Sequence, residues 1–407
     1  MATNIFRGDA PAVAQLNTVT PANVLIGNTF TLVINGKSIT YTAAAATVAD
    51  VTAGLVALIN LSTIPEFHEV LAADITTALT LKAATPGMPI VQTSSAAGGT
   101  ATLITATTTA SSGPNDWSTP ANWSLGLIPV TGDAVYLTQT ASNILYGLTQ
   151  SAVTLASLTA DPTFTGTLGL PRFNPSGYYE YRSPYLVIGV TVGTYAPGSG
   201  RFKVDHGAIA YTVLIPTTGQ STDQGLPAVI LKGTNAANVL NILQGSVGVA
   251  IEPGDVSTVL TIQIGYQNAQ STDVALALGA GCTLTTIQQN GGIIVYQSSV
   301  TTHRIQGGGT ATVLGATNIT TLDIEAGTVN YQGTGTIATA TIGSNGAKLV
   351  FTQDPRARTI TNLTLDAGAT LLDPNKTVTF TNPLILQRCG LSQVTLDLGV
   401  NMNLQRS

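Results

Sequence analysis

The sequence predicts a mainly β protein: a small N-terminal α+β domain followed by an elongated β-solenoid (β-helix-like) region. Three observations carry this expectation. Mean hydropathy is +0.31 and charged residues are only 9% of 407, against about 25% in an ordinary soluble domain. Yet the apolar residues alternate with Thr, Ser, Asn and Gly, which is the texture of strands, and no run approaches the roughly 18 apolar residues that span a bilayer. Helical periodicity is confined to one stretch near the N-terminus, and glycine-centred turns recur along the C-terminal half.

Residues 1–20 show no helical period and read as an extended N-terminal arm. The runs "TFTLVING" (29–36) and "SITYTA" (38–43) meet at Asn35-Gly36, a pair favoured in tight hairpins because the turn needs positive φ. In "TVADVTAGLVALIN" (47–60), Val48, Val51, Leu55, Leu58 and Ile59 fall on one helical face. Thr47, with Asp50 three residues on, supplies a capping pair. Alternating runs at 69–74, 77–83 and 89–94 come next, with Pro86-Gly87 as a turn. Residues 21–110 therefore read as a small α+β domain.

The stretch "TTTASSGPND" (107–116) has linker composition, and 111–135 reads as a linker with a lead-in or cap for the strand-only region beyond it. Residues 136–239 form a β-rich middle region with a tyrosine-rich loop at 172–185, and 240–407 form the solenoid, its repeats lying within 240–395. Segments 284–297, 319–332, 337–351 and 360–373 each run an alternating strand through a glycine turn into a second strand. The turn residues Gly292, Gly309, Gly327, Gly346 and Gly368 are 17, 18, 19 and 22 residues apart. A period of about 20 with strand content indicates coils that bury their apolar faces on one another. A pair of β-sandwiches is the alternative arrangement of the same strands.

Composition also limits function. The net charge is −5 and the 15 basic residues are scattered, so no nucleic-acid partner is expected, and no membrane partner either. Cys282 and Cys389 lie 107 positions apart, which is neither a disulfide framework nor zinc spacing. The opening residues lack an apolar h-region, so assembly in a reducing cytoplasm is expected. So few charges on a strand-rich monomer would leave sticky edges, which a tight homo-oligomer would cover.

Candidate sites are sparse. Asp323 and Glu325 lie two apart on a strand and so share a face, as the paired carboxylates of a glycan-cleaving enzyme would, although strand exteriors need polar residues in any case. Glu66, His68 and Glu69 lack metal-site spacing. Asp205-His206 and His303-Arg304 have no nucleophile motif beside them, and Arg7-Gly8-Asp9 is a chance triplet. No catalytic, cofactor-binding or metal residues are assigned, and no cofactor is expected. The segment 172–185 gathers Phe173, Tyr178, Tyr179, Tyr181, Arg182 and Tyr185. Those residue types dominate protein interfaces, and they also fill local cores or contact ligands.

Both tryptophans, Trp117 and Trp123, fall in "NDWSTPANW", where the strand-only region begins. A solenoid's first coil has nothing above it, so two indoles there read as a cap rather than a binding platform, with buried rings and satisfied N–H groups. The segment "FTLVINGKSITYTAAAATVADVTAGLVALIN" with "AADITTALTLKAATPGMPIVQTSS" resembles a small domain of bacteriophage structural and flagellin-like surface proteins. "NDWSTPANWSLGLIPVTGDAVYL" resembles the lead-in motif of β-solenoid segments in phage and bacterial surface proteins. The resemblance to tailed-phage virion proteins implies a non-enzymatic capsid decoration (cement) protein, a homotrimer bound to the major capsid protein on the capsid surface. The alternative, ranked second, is a tail fibre or tailspike that binds, or less readily cleaves, host glycan.

Overall fold

The computed structural model describes residues 2–169, 183–219, 226–265 and 274–399. The protein is mainly β, with one α-helix among the described residues and a large parallel assembly of strands compatible with a β-solenoid. Every second strand returns beside its predecessor. Val239–Ile242 pairs with Ser257–Ile264, which pairs with Cys282–Gln289, then Val300–Ile305, then Ile319–Tyr331. The intervening strands Gly245–Val249, Val274–Leu278, Ile293–Tyr296 and Thr310–Val313 build a second parallel series. Farther on, Ile319–Tyr331 and Thr336–Val350 are long enough to serve both series.

Strand alternation then decides the core. One residue per coil is aligned with its counterpart above and below: Val213, Leu240, Ile262, Ile287, His303, Leu322, Ala340 and Leu363 form one continuous register column. All of them are buried in a single cluster or, for His303, within it. Parallel strands need long crossovers, and here the rest of each coil supplies the crossover, so neighbouring coils cover each other's apolar faces.

The ladder begins far upstream of residue 240. Ala134–Leu137, Thr149–Ala160, Leu186–Tyr195 and Thr212–Ile215 are joined in the same parallel order and lead directly into Val239–Ile242. The stretch 136–239 is therefore continuous with the coils below it rather than a separate middle region. Residues 1–20 are not a free arm either. Thr3–Phe6 pairs in parallel with Ala134–Leu137, and Leu16–Ala22 is an interior strand of an antiparallel sheet.

That sheet has the order Val70–Asp74, Leu79–Ala83, Leu16–Ala22, Thr102–Thr109; the last strand runs into the segment whose composition reads as linker. A second sheet is built from Lys37–Thr42, Thr29–Ile34 and Gln92–Ala97. With the helix Val48–Asn60 they enclose a core of their own, including Phe30, Leu32, Val51, Leu55, Phe67 and Leu81. Thr47 accepts a hydrogen bond from the Asp50 N–H (3.3 Å) at the helix N-terminus. The Asp50 carboxylate turns outward to accept from the Ala44 and Ala45 N–H groups and the Tyr41 hydroxyl. The chain leaves for this unit and returns from it side by side, where the Val13 N–H donates to the Ser112 carbonyl (2.8 Å). The unit is thus inserted between the first strand of the ladder and the second.

Candidate functional site

Trp117 and Trp123 lie at the start of the parallel ladder, 0% and 2% exposed. Their rings meet edge to face at 4.7 Å, and Phe6 meets Trp123 in the same way at 5.2 Å. The strand Thr3–Phe6 is held on both sides: by Ala134–Leu137 on one, and by Trp123 and Ser124 on the other. Asn122, fully buried, ties this together. Its amide donates to the Gly113 and Asp116 carbonyls, and its side-chain oxygen accepts from the Ala10 N–H. The Trp123 indole N–H donates to the Trp117 carbonyl (2.8 Å). The Trp117 indole N–H has no protein acceptor, contrary to the expectation that both indoles would be satisfied. No open aromatic platform exists here, because neither ring faces solvent.

The surface candidates are occupied by one another. Arg304, the register partner of Asp323 on the neighbouring strand, engages both carboxylates: its Nε is 3.2 Å from Asp323 Oδ2, and its guanidinium also donates to Glu325 Oε1. Asp323 has its pKa raised, by partial burial first and by Glu325 second, against the opposing pull of Arg304. Glu66 is buried beside Lys37 (3.7 Å), Glu69 accepts from the Asn35 amide, and His68 Nε2 sits 2.7 Å from the Ser62 carbonyl, so the three point to separate partners. No group of three or more His, Cys, Asp or Glu is placed to hold a metal ion among the described residues. A cleft of about 340 Å³ lies between Pro89 and Val91 of the inserted unit and Ser118, Tyr146 and Gln150 at the start of the ladder, and among the described residues no carboxylate, histidine, lysine or arginine lines it.

Of the tyrosine-rich segment, Phe173, Tyr178, Tyr179, Tyr181 and Arg182 lie outside the described residues. Tyr185 is buried, and it belongs to a charged cluster that sequence reasoning missed. Lys203 sits between Phe202 and Val204, whose side chains enter the core, so Lys203 points to the opposite face of the strand. It is nevertheless fully buried, because the turn at 252–255 folds back over that face. There Lys203 Nζ contacts Glu252 Oε1. Lys232, aligned with Asp205 on the neighbouring strand, lies 3.0 Å from Asp255 and 3.6 Å from Asp205. The Tyr185 hydroxyl donates to Asp255 Oδ2 (2.7 Å), and the two ammonium groups sit over its ring at 4.9 and 4.4 Å. Burial, then the Glu252 and Asp255 carboxylates, push the Tyr185 pKa far up, while burial pulls the Lys203 pKa down against the opposing effect of Glu252. The available signal was two lysines inside apolar strands, "FKVD" and "ILKG", in a chain with only 15 basic residues.

Three further titratable side chains, His303, His206 and Cys282, fill the interior of the stack as neutral groups. His303 hydrogen-bonds Tyr296 (2.9 Å) and Gln289 (3.3 Å), and His206 lies among Tyr195, Phe202 and Tyr211. Burial pulls both histidines down to about 3. Cys282 is buried and its thiol is pushed up to about 12 by that burial. Set against protein-family models, characterised proteins and solved structures, the chain matches none of them.

Proposed function

We propose that the chain is a non-enzymatic structural protein of a tailed-phage virion, assembling as a homotrimer that decorates and stabilises the capsid. One observation carries this reading: a split between spent and unspent chemistry. The charged and aromatic groups described above are engaged in holding coils and turns together. Most of the exposed large apolar side chains among the described residues instead lie in the inserted unit and the lead-in loop, among them Leu25, Ile26, Leu61, Leu71, Ile104 and Leu127. Apolar groups left in water favour burial against another subunit. Contacts made across subunit boundaries stabilise a shell because they must break before it opens. With Thr3–Phe6 folded into the ladder, attachment runs through the inserted unit rather than through an arm.

Light scattering of the purified chain should give three copies, and the protein should co-sediment with empty capsids. Leu61→Asp combined with Leu127→Asp should weaken that binding about tenfold or more, by removing about 1.4 kcal/mol or more of contact, with unchanged circular dichroism. Hundreds of copies per particle fit decoration, while about three to eighteen fit a tail fibre. Antibody labelling confined to the tail tip would replace decoration with that second reading. Asp323→Asn with Glu325→Gln should leave any effect on capsular polysaccharide viscosity unchanged, because Arg304 already engages both carboxylates.

A further inference from the structure

We propose that Lys203 and Glu252 join covalently, the Lys203 amine and the Glu252 side-chain carboxyl condensing into an intramolecular isopeptide bond. The inference does not depend on what assembly the chain serves. It starts from placement. Lys203 is fully buried on the outer face of its strand and Glu252 is 10% exposed, with Nζ already against Oε1. The second carboxylate oxygen, Oε2, is buried and has no protein hydrogen-bond donor. The Tyr185 ring covers the ammonium.

A desolvated ion pair is costly to maintain, and burial disfavours the charged amine. Transfer of one proton from Nζ to Glu252 along their hydrogen bond leaves an amine beside a carboxylic acid, and a desolvated lysine amine is a nucleophile. Its lone pair attacks Cδ and a C–N bond forms. An N–H proton passes to the departing hydroxyl, the C–O bond breaks and water leaves. In sum, an ammonium and a carboxylate become an amide and one water, with no change in oxidation state. Lys232 is the internal contrast: its side chain is 23% exposed, so water keeps access to it beside Asp205 and Asp255. The cross-link would fasten Phe202–Asp205 to the turn after Gly245–Val249, two strands away in the same parallel series.

Mass spectrometry of the intact full-length protein tests this directly. The expected mass is lower than that of the sequence by one water molecule. Trypsin should leave Lys203 uncut and release 202–232 joined to 233–304 as one branched species, since Lys232 and Arg304 are the next cleavage points. Lys203→Met and, separately, Glu252→Ala should each restore the full mass of their own sequence. A wild-type chain at full mass, cut after Lys203, would overturn the proposal whether or not the variants fold. So would a water deficit that persists in Lys203→Met.

Discussion

His303 stands where its register partners in the adjoining coils are Ile287 and Leu322. An imidazole survives there because Tyr296 and Gln289 satisfy its nitrogens, and because it stays neutral. Neutrality links stability to pH. Both His303 and His206 titrate near 3 when folded but near 6.5 in an unfolded chain, so their contribution is complete above about pH 6.5 and is lost as pH falls toward 3. At pH 5 each should cost about 2 kcal/mol. Urea unfolding at pH 7.5 and pH 5 should show this loss, and His303→Gln should remove roughly half of the difference; an unchanged pH slope would mean that the ring is charged or solvated. The tryptophan pair gives a second residue-scale expectation. Trp123→Phe removes the donor to the Trp117 carbonyl, whereas Trp117→Phe removes an N–H with no acceptor. In denaturant titrations Trp123→Phe should be the more destabilising by about 1–2 kcal/mol, the cost of an unmade buried hydrogen bond.

At the scale of the coil, glycine marks the corners. All five turn glycines read from the sequence spacing have positive φ, but they do not all do the same work. At Gly309, φ is +96° and a Cβ would stand 2.6 Å from the Gly292 carbonyl of the coil before. At Gly346, φ is +69° and a Cβ would meet nothing within 4 Å. Gly346→Ala should therefore cost only the left-handed backbone, about 1–2 kcal/mol. Gly309→Ala adds a collision with fixed backbone and should cost more than about 3 kcal/mol; equal thermal shifts for the two would refute the stacked-corner account. The corners are legible in the sequence because downstream coils are short: the register steps 287 to 303, 303 to 322 and 322 to 340 are 16, 19 and 18 residues. Upstream, the steps 158 to 193, 193 to 213 and 213 to 240 are 35, 20 and 27 residues, and spacing that uneven dilutes the period, so the ladder before residue 240 leaves no regular repeat in the sequence. The Lys203 cluster is hidden for a different reason. In Phe202-Lys203-Val204 the alternation reads as ordinary core, surface, core, and only the fold-back of a turn 49 residues away converts surface to interior.

Across the whole molecule the two ends of the ladder differ, and a stack held by nearest-neighbour contacts should loosen from its weaker end. At the first end Thr3–Phe6 is paired on both sides, and Phe6, Trp117 and Trp123 are buried beneath it. At the other end the inward positions lose their cover. Ile360, Leu365 and Leu371 are buried, but their register partners Phe380, Leu386 and Leu396 are only half-buried. Each of those last strands is in register with the coil before and with no later strand among the described residues. Local opening there breaks fewer contacts than in any middle coil. Hydrogen exchange of the isolated protein should therefore run fastest in 378–397 and slowest in 282–342, with 3–6 protected nearly as well as the middle despite lying at the edge of the ladder. Rapid exchange of 3–6 would show that the tryptophan-backed strand does not hold that end. Slow exchange of 378–397 would mean that those side chains are covered in solution by another copy, a result that light scattering of the same sample would identify as oligomerisation through this end.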